Sequence, residues 1–129
     1  MRRNCIEIER SDKIKLYVDE ENAEDILSYC EQNEKYSKKY NHIKEAILRR
    51  LAPKTLYGKV KTTKDIWEIR FFPNVKGRND RIYCKQYDAD PTIIIIVMVE
   101  LFQGKKSQKI DKRIQDRLDV IKTYTYDIE

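Results

Sequence analysis

Apolar and polar positions along the chain follow two periods. Between Cys5 and Glu9 apolar and acidic residues alternate, and Ile14, Leu16 and Val18 repeat that two-residue spacing beyond Ser11 and Asp12. This predicts one or two short strands, with a hairpin as one arrangement. Residues 19–22 then supply N-cap candidates and first-turn carboxylates, which offset the exposed amides and positive dipole end of a helix. Ala23, Ile26, Leu27 and Cys30 follow at i, i+3, i+4 and i+7, a stripe that predicts a helix ending near Asn33. Tyr36, Tyr40, Ile43, Ile47 and Leu51 mark a second helix, closed by Pro53 because proline has no N–H to donate. Its outer face carries Lys38, Lys39, Lys44, Arg49 and Arg50. The segment from there to Lys64, with Gly58, reads as a loop or an irregular strand.

The stretch 65–109 organises the rest. Trp67, Ile69 and Phe71 occupy one face of a strand, and Glu68 and Arg70 the other. After a turn-rich connection at 73–80, Arg81, Tyr83, Lys85 and Tyr87 alternate with Ile82 and Cys84, so the polar set is expected to align with Arg70 across an antiparallel pair. Residues 93–102 form the most apolar run and do not alternate, which predicts a central strand buried on both faces. A basic loop, 105–109, leads into a last helix at 111–125 whose inner face is Ile114, Leu118 and Ile121. The expected architecture is α+β: a small antiparallel sheet packed against two N-terminal helices, with a C-terminal helix and the helices covering one face.

Composition narrows the chemistry. A chain of 129 residues fits a single domain over 1–129, and 38% charged residues leave much of the surface ionised. The net charge of +5 is unevenly placed. Lys and Arg number 12 against 6 Asp and Glu in residues 53–109, whereas the flanks count 11 against 11 and 4 against 5. Cys5, Cys30 and Cys84 are widely spaced and odd in number, which predicts free thiols in a reducing compartment. The one long apolar run is about half the length of a spanning helix. A cytoplasmic location without membrane attachment is therefore expected.

Familiar catalytic patterns are absent: no P-loop, no dinucleotide fingerprint and no metal-spaced acidic or histidine cluster. The single histidine, His42, sits in a Tyr- and Lys-rich helix and reads as a surface residue. No cofactor or metal is expected. What remains is the cationic set Arg70, Arg81, Lys105 and Lys106. Converging cations suit a phosphodiester, because cleavage of RNA by its own 2′-hydroxyl builds charge on the phosphorane oxygens. A lysine whose pKa is lowered by neighbouring cations can also move a proton. Tyr83, Tyr87, Tyr124 and Tyr126 lie near this set or in the tail and offer stacking surfaces for bases. Lys85 and Lys109 extend the expected RNA contacts. Tyr36, Tyr40 and Trp67 read as core. The plain alternative is that each cation is a solvated surface charge.

Three stretches carry a resemblance. Leu56-Tyr57-Gly58 with Ile66-Trp67-Glu68-Ile69-Arg70, then Arg81-Ile82-Tyr83, then Val99-Glu100-Leu101-Phe102-Gln103-Gly104-Lys105-Lys106-Ser107-Gln108-Lys109 together resemble the RelE/HigB branch of bacterial toxin-antitoxin toxins, including the phage-derived Gp49-like group. The resemblance covers residues 56–125. It implies a RelE/ParE-like fold and ribosome-dependent endoribonuclease cleavage of mRNA, leaving a 2′,3′-cyclic phosphate. It also implies a cognate antitoxin as partner, beside the ribosome and its mRNA. By position, Arg70, Arg81 and Lys105 or Lys106 fall where the family places basic residues acting on the scissile phosphate. This chain departs from the pattern at Asp111, which stands where a proline is usual, and at Lys112, which stands where RelE proper has a catalytic tyrosine. Tyr126 or Tyr124, with Asp127, is the expected substitute. Two alternatives share the fold: a ParE-type toxin that poisons gyrase, and a noncatalytic binding module of phage or plasmid origin.

Overall fold

The computed structural model describes residues 1–73, 79–105 and 112–128. Along the chain run β1 (Arg2–Arg3), β2 (Cys5–Arg10), β3 (Ile14–Asp19), α1 (Ala23–Cys30), α2 (Glu34–Leu48), β4 (Tyr57–Lys59), β5 (Ile66–Arg70), β6 (Asn79–Asp90), β7 (Ile93–Lys105), α3 (Lys112–Lys122) and β8 (Thr125–Tyr126). The two short terminal strands, β1 and β8, pair in parallel, and the others form a six-stranded sheet in the order β2-β3-β7-β6-β5-β4. This is an α+β architecture.

The sheet is mixed, which corrects the all-antiparallel expectation. β3 runs parallel to β7 in the register Leu16↔Ile96 and Val18↔Met98, whereas β4 to β7 form an antiparallel meander. Parallel neighbours require a long crossover, here supplied by the helices and the first three meander strands. Of the arrangements left open for the first strands, the hairpin is the one that forms, β2 pairing with β3 through Ile6↔Val18 and Arg10↔Lys15.

The helices cover both faces, a second correction. Leu16 and Val18 of β3, and Ile96 and Met98 of β7, pack with Ile26 and Cys30 of α1 and Tyr40, Ile43 and Ile47 of α2. The alternate residues Tyr17, Val97 and Val99 pack with Ile114, Leu118 and Ile121 of α3. The two-residue period of β7 therefore feeds two cores at once, which explains why its sequence does not alternate. Tyr36 joins the first core through edge-on contacts with Tyr29 and Phe72, at centroid distances of 5.2 and 5.3 Å. Trp67 is half-buried and stacks on Tyr57 of β4 at 5.1 Å.

Helix ends account for most boundary differences. The side chain of Asn33 accepts a hydrogen bond from the Tyr36 N–H and so starts α2, while α1 stops before it at Cys30. α2 closes at Leu48, before Pro53. Arg50 takes a left-handed φ of 59°, and Leu51 N–H reaches back to the Ala46 carbonyl at 2.8 Å, the wrap that terminates a helix when a residue enters the left-handed region. Leu51, expected on the inner stripe, is consequently thrown outward and 71% exposed. α3 likewise ends at Lys122, and the chain beyond it pairs with the N-terminus, where Thr125 N–H donates to the Met1 carbonyl at 2.8 Å.

One irregularity bears on the site. Tyr83 pairs with Glu100 but Cys84 pairs with Met98, so Val99 is an extra residue in β7. This bulge resets the alternation, and Glu100 and Phe102, not Leu101, then share the face of Tyr83 and Arg81.

Candidate phosphate-binding face

The face beneath α3 is built from three register rows. Arg70, Arg81 and Phe102 lie side by side on β5, β6 and β7. Glu68, Tyr83 and Glu100 form the next row, and Ile66, Lys85 and Val97 the third. The expected alignment of Arg70 with Arg81 is thus present. Arg70 remains partly open, its side chain 28% exposed, and its Nε donates to Glu68 Oε1 at 2.7 Å. Arg81 is fully buried, its Nε 3.5 Å from the same carboxylate oxygen. Burial pulls the Arg81 guanidinium below its ordinary pKa and the neighbouring Arg70 charge adds to that, while Glu68 opposes both. A guanidinium out of water costs several kcal/mol unless a carboxylate answers it, which makes Glu68 the counterion of the row.

α3 adds cations at the same end of the sheet. Arg113 lies over the Phe102 ring at 4.8 Å, and Arg117 makes a two-point pair with Glu100, Nε to Oε2 being 2.7 Å. The hydrogen bonds to Glu100 raise the Arg117 pKa. Arg113 is exposed and the Arg117 side chain is 40% exposed. Arg70, Arg113 and Arg117 are therefore the cations that this face presents to solvent among the residues just described.

Other predicted contacts sit elsewhere. Tyr83 is 1% exposed inside the α3 core, so no ring face is open for stacking. Lys85 is also buried. Its Nζ donates to the carbonyls of Lys122 at 3.2 Å and Tyr124 at 2.7 Å, clasping the negative dipole end of α3, with Asp65 at 3.5 Å. Tyr124 is buried beneath the Arg3 guanidinium at 4.2 Å. Lys105 ends β7 beside the site, and Lys106 and Lys109 lie outside the described residues.

Tyr126 belongs to a second polar centre. Asp19, fully buried at the end of β3, accepts from Arg3 Nε at 2.7 Å and Nη2 at 2.9 Å, from the Tyr126 hydroxyl at 2.7 Å and from the Asn22 N–H at 3.1 Å. Burial pushes the Asp19 pKa up, but these hydrogen bonds and the Arg3 charge outweigh it and the net shift is downward. The Tyr126 phenol is driven well above its ordinary value by burial and by its bond to Asp19. A hydroxyl so held is a poor proton donor at neutral pH, and it ties the C-terminus to β3 and β1.

Sequence reasoning passed over Glu68 and Glu100 as partners, and Arg113 and Arg117 altogether. The i, i+4 spacing of Arg113 and Arg117, flanking Ile114 and Leu118, was a visible signal that they border the inner stripe of α3. Glu100 interrupts the apolar run, but its face depends on the bulge. Among the described residues no three His, Cys, Asp or Glu side chains gather as a metal site would need, and no helix is long and apolar enough to cross a membrane. No family model matches this chain, and no curated protein or solved structure matches it either.

Proposed function

We propose that the chain is the toxin of a type II toxin-antitoxin pair, of the RelE/HigB kind, that cuts ribosome-bound mRNA in the cytoplasm by attack of the 2′-hydroxyl on its own phosphodiester. The carrying observation is the Arg70↔Arg81 register pair, set at the sheet end where Arg113 and Arg117 arrive from α3 and β7 runs out at Lys105. In this reading Arg70 contacts the phosphate and stabilises the charge that develops on its oxygens. Arg81, held beside Glu68, is a positioning residue. Lys105 or Lys106 moves the proton between the attacking and leaving oxygens. The cognate antitoxin would cover the same cations.

Induced expression should stop growth and produce mRNA ends in phase with codons, read by mapping 5′ ends. Arg70→Ala should relieve both while leaving the fold intact, since the side chain is partly open. Growth arrest with intact message and a DNA-damage response would replace this reading with gyrase poisoning. A second reading, a noncatalytic binding module of this fold, is favoured by the burial of Arg81, Tyr83 and Lys85, which commits them to packing. Harmless overexpression of folded protein would select it.

A further inference from the structure

We infer that the open edge of β7 at Leu101 and Gln103 is a strand-addition site for an extended, basic segment of a different protein, independently of whether the chain cuts RNA. β3 stops at Asp19, and its last register pair with β7 is Val18↔Met98. β7 continues to Lys105, paired on its other side through Tyr83↔Glu100 and Arg81↔Phe102. Among the described residues no strand pairs with the side that β3 vacates.

Two hydrogen bonds fix which backbone groups point there. The Val99 carbonyl faces the β3 side, where Asn22 Nδ2 donates to it at 2.7 Å. The Gly104 N–H faces the β6 side, donating to Asp80 Oδ1 at 3.0 Å. In a trans peptide the carbonyl of residue 103 points opposite to the N–H of residue 104, hence toward the open side. Strand alternation between these anchors aims the N–H and C=O groups of Leu101 and Gln103 outward. The bulge at Val99 is what brings the odd-numbered residues to this edge, since Ile94 N–H already donates toward β3, to the Lys13 carbonyl.

The space beside the edge suits one kind of occupant. A cleft of about 640 Å³ runs between β7 and α1, lined by Asp25 and Ser28 on the helix, by Asn22 and Gln32 just beyond its two ends, and by Glu100, Leu101 and Gln103 on the strand. A strand docked about 4.8 Å from β7 lies within it. The lining is acidic: it carries the carboxylates of Asp25 from α1 and Glu100 from β7 and no basic residue. Side chains of the added strand that point toward α1 should therefore be lysine or arginine. The same carboxylates disfavour RNA, and they disfavour a second copy of this chain, whose edge would bring an identical acidic wall.

The probe is a short synthetic peptide alternating lysine with threonine, compared with its glutamate counterpart and with a lysine peptide N-methylated on the residues that face the edge. Titration calorimetry should show the lysine peptide binding at least tenfold more tightly than either, a difference of about 1.4 kcal/mol or more. Amide exchange should slow at Leu101 and Gln103 on binding and stay unchanged at Phe102. Asp25→Lys should transfer the preference to the glutamate peptide. Gln103→Pro, which removes an edge donor at a position where proline is tolerated, should abolish binding, whereas Gln103→Ala should keep it. Equal binding of the N-methylated peptide, protection elsewhere on the surface, binding of no peptide, or concentration-dependent protection of Leu101 and Gln103 in the protein alone would each overturn the assignment. Should Gln103→Pro fail to fold, the N-methylated peptide on the unaltered protein decides.

Discussion

On the face covered by α1 and α2, the sheet meets its helices through aliphatic and aromatic side chains. Phe71, Tyr29, Tyr36 and Phe72 make successive edge-on contacts, and Ile26, Ile43 and Ile96 are buried in the same core. On the face covered by α3 a smaller apolar patch is bordered by buried or half-buried charges, each with a named partner: Asp19 with Arg3, Glu68 with Arg70 and Arg81, Glu100 with Arg117. The first face draws its stability from area removed from water and tolerates any well-packed shape. The second depends on partners being present, because an orphaned buried charge costs far more than the pair contributes. The solvent-open cations Arg70, Arg113 and Arg117 sit on the face whose packing is already polar.

The contrast can be broken from the polar side first. Asp19→Ala should cost about 3 kcal/mol by urea denaturation, because the 11%-exposed Arg3 side chain loses its buried carboxylate and keeps only the exposed Glu21, and Tyr126 loses its acceptor. A loss under about 1 kcal/mol would mean that the centre is replaceable by solvent. On the apolar face, Ile43→Ala should cost about 3 kcal/mol through lost burial and a residual cavity.

A pH series sharpens the same comparison. The folded Asp19 carboxyl lies below its unfolded pKa, so its contribution is present above about pH 4, the unfolded range, and is lost as pH falls through the folded value. Asp19→Asn should flatten that acid limb, and Ile43→Ala should leave its slope unchanged. The smallest effect expected is Tyr126→Phe, which removes one hydrogen bond to a charged acceptor and should cost about 1.5 to 3 kcal/mol in denaturant midpoint terms. It should also leave any growth arrest intact, since Tyr126 is committed to Asp19.

Much of this was legible in local periodicity. The opposition of Trp67 and Ile69 to Glu68 and Arg70, the alternation along β6, the inner stripe of α3 and the central place of β7 all follow from spacing alone. The open character assigned to Arg81, Tyr83 and Lys85 did not hold, because a polar alternate set reads as solvent-facing whether or not a helix later covers it. Leu51 was misplaced because a single residue entering the left-handed region leaves no periodic signature.

The sequence by itself determined which residues share a face of each strand and helix, since those periods are set by backbone geometry within one segment. Tertiary structure alone decided that β3 lies parallel to β7, that the Val99 bulge turns Glu100 toward α3, and that Asp19 meets Tyr126 across 107 positions. Burial and ion pairing depend on which distant segment arrives at a face, and no local pattern encodes that arrival.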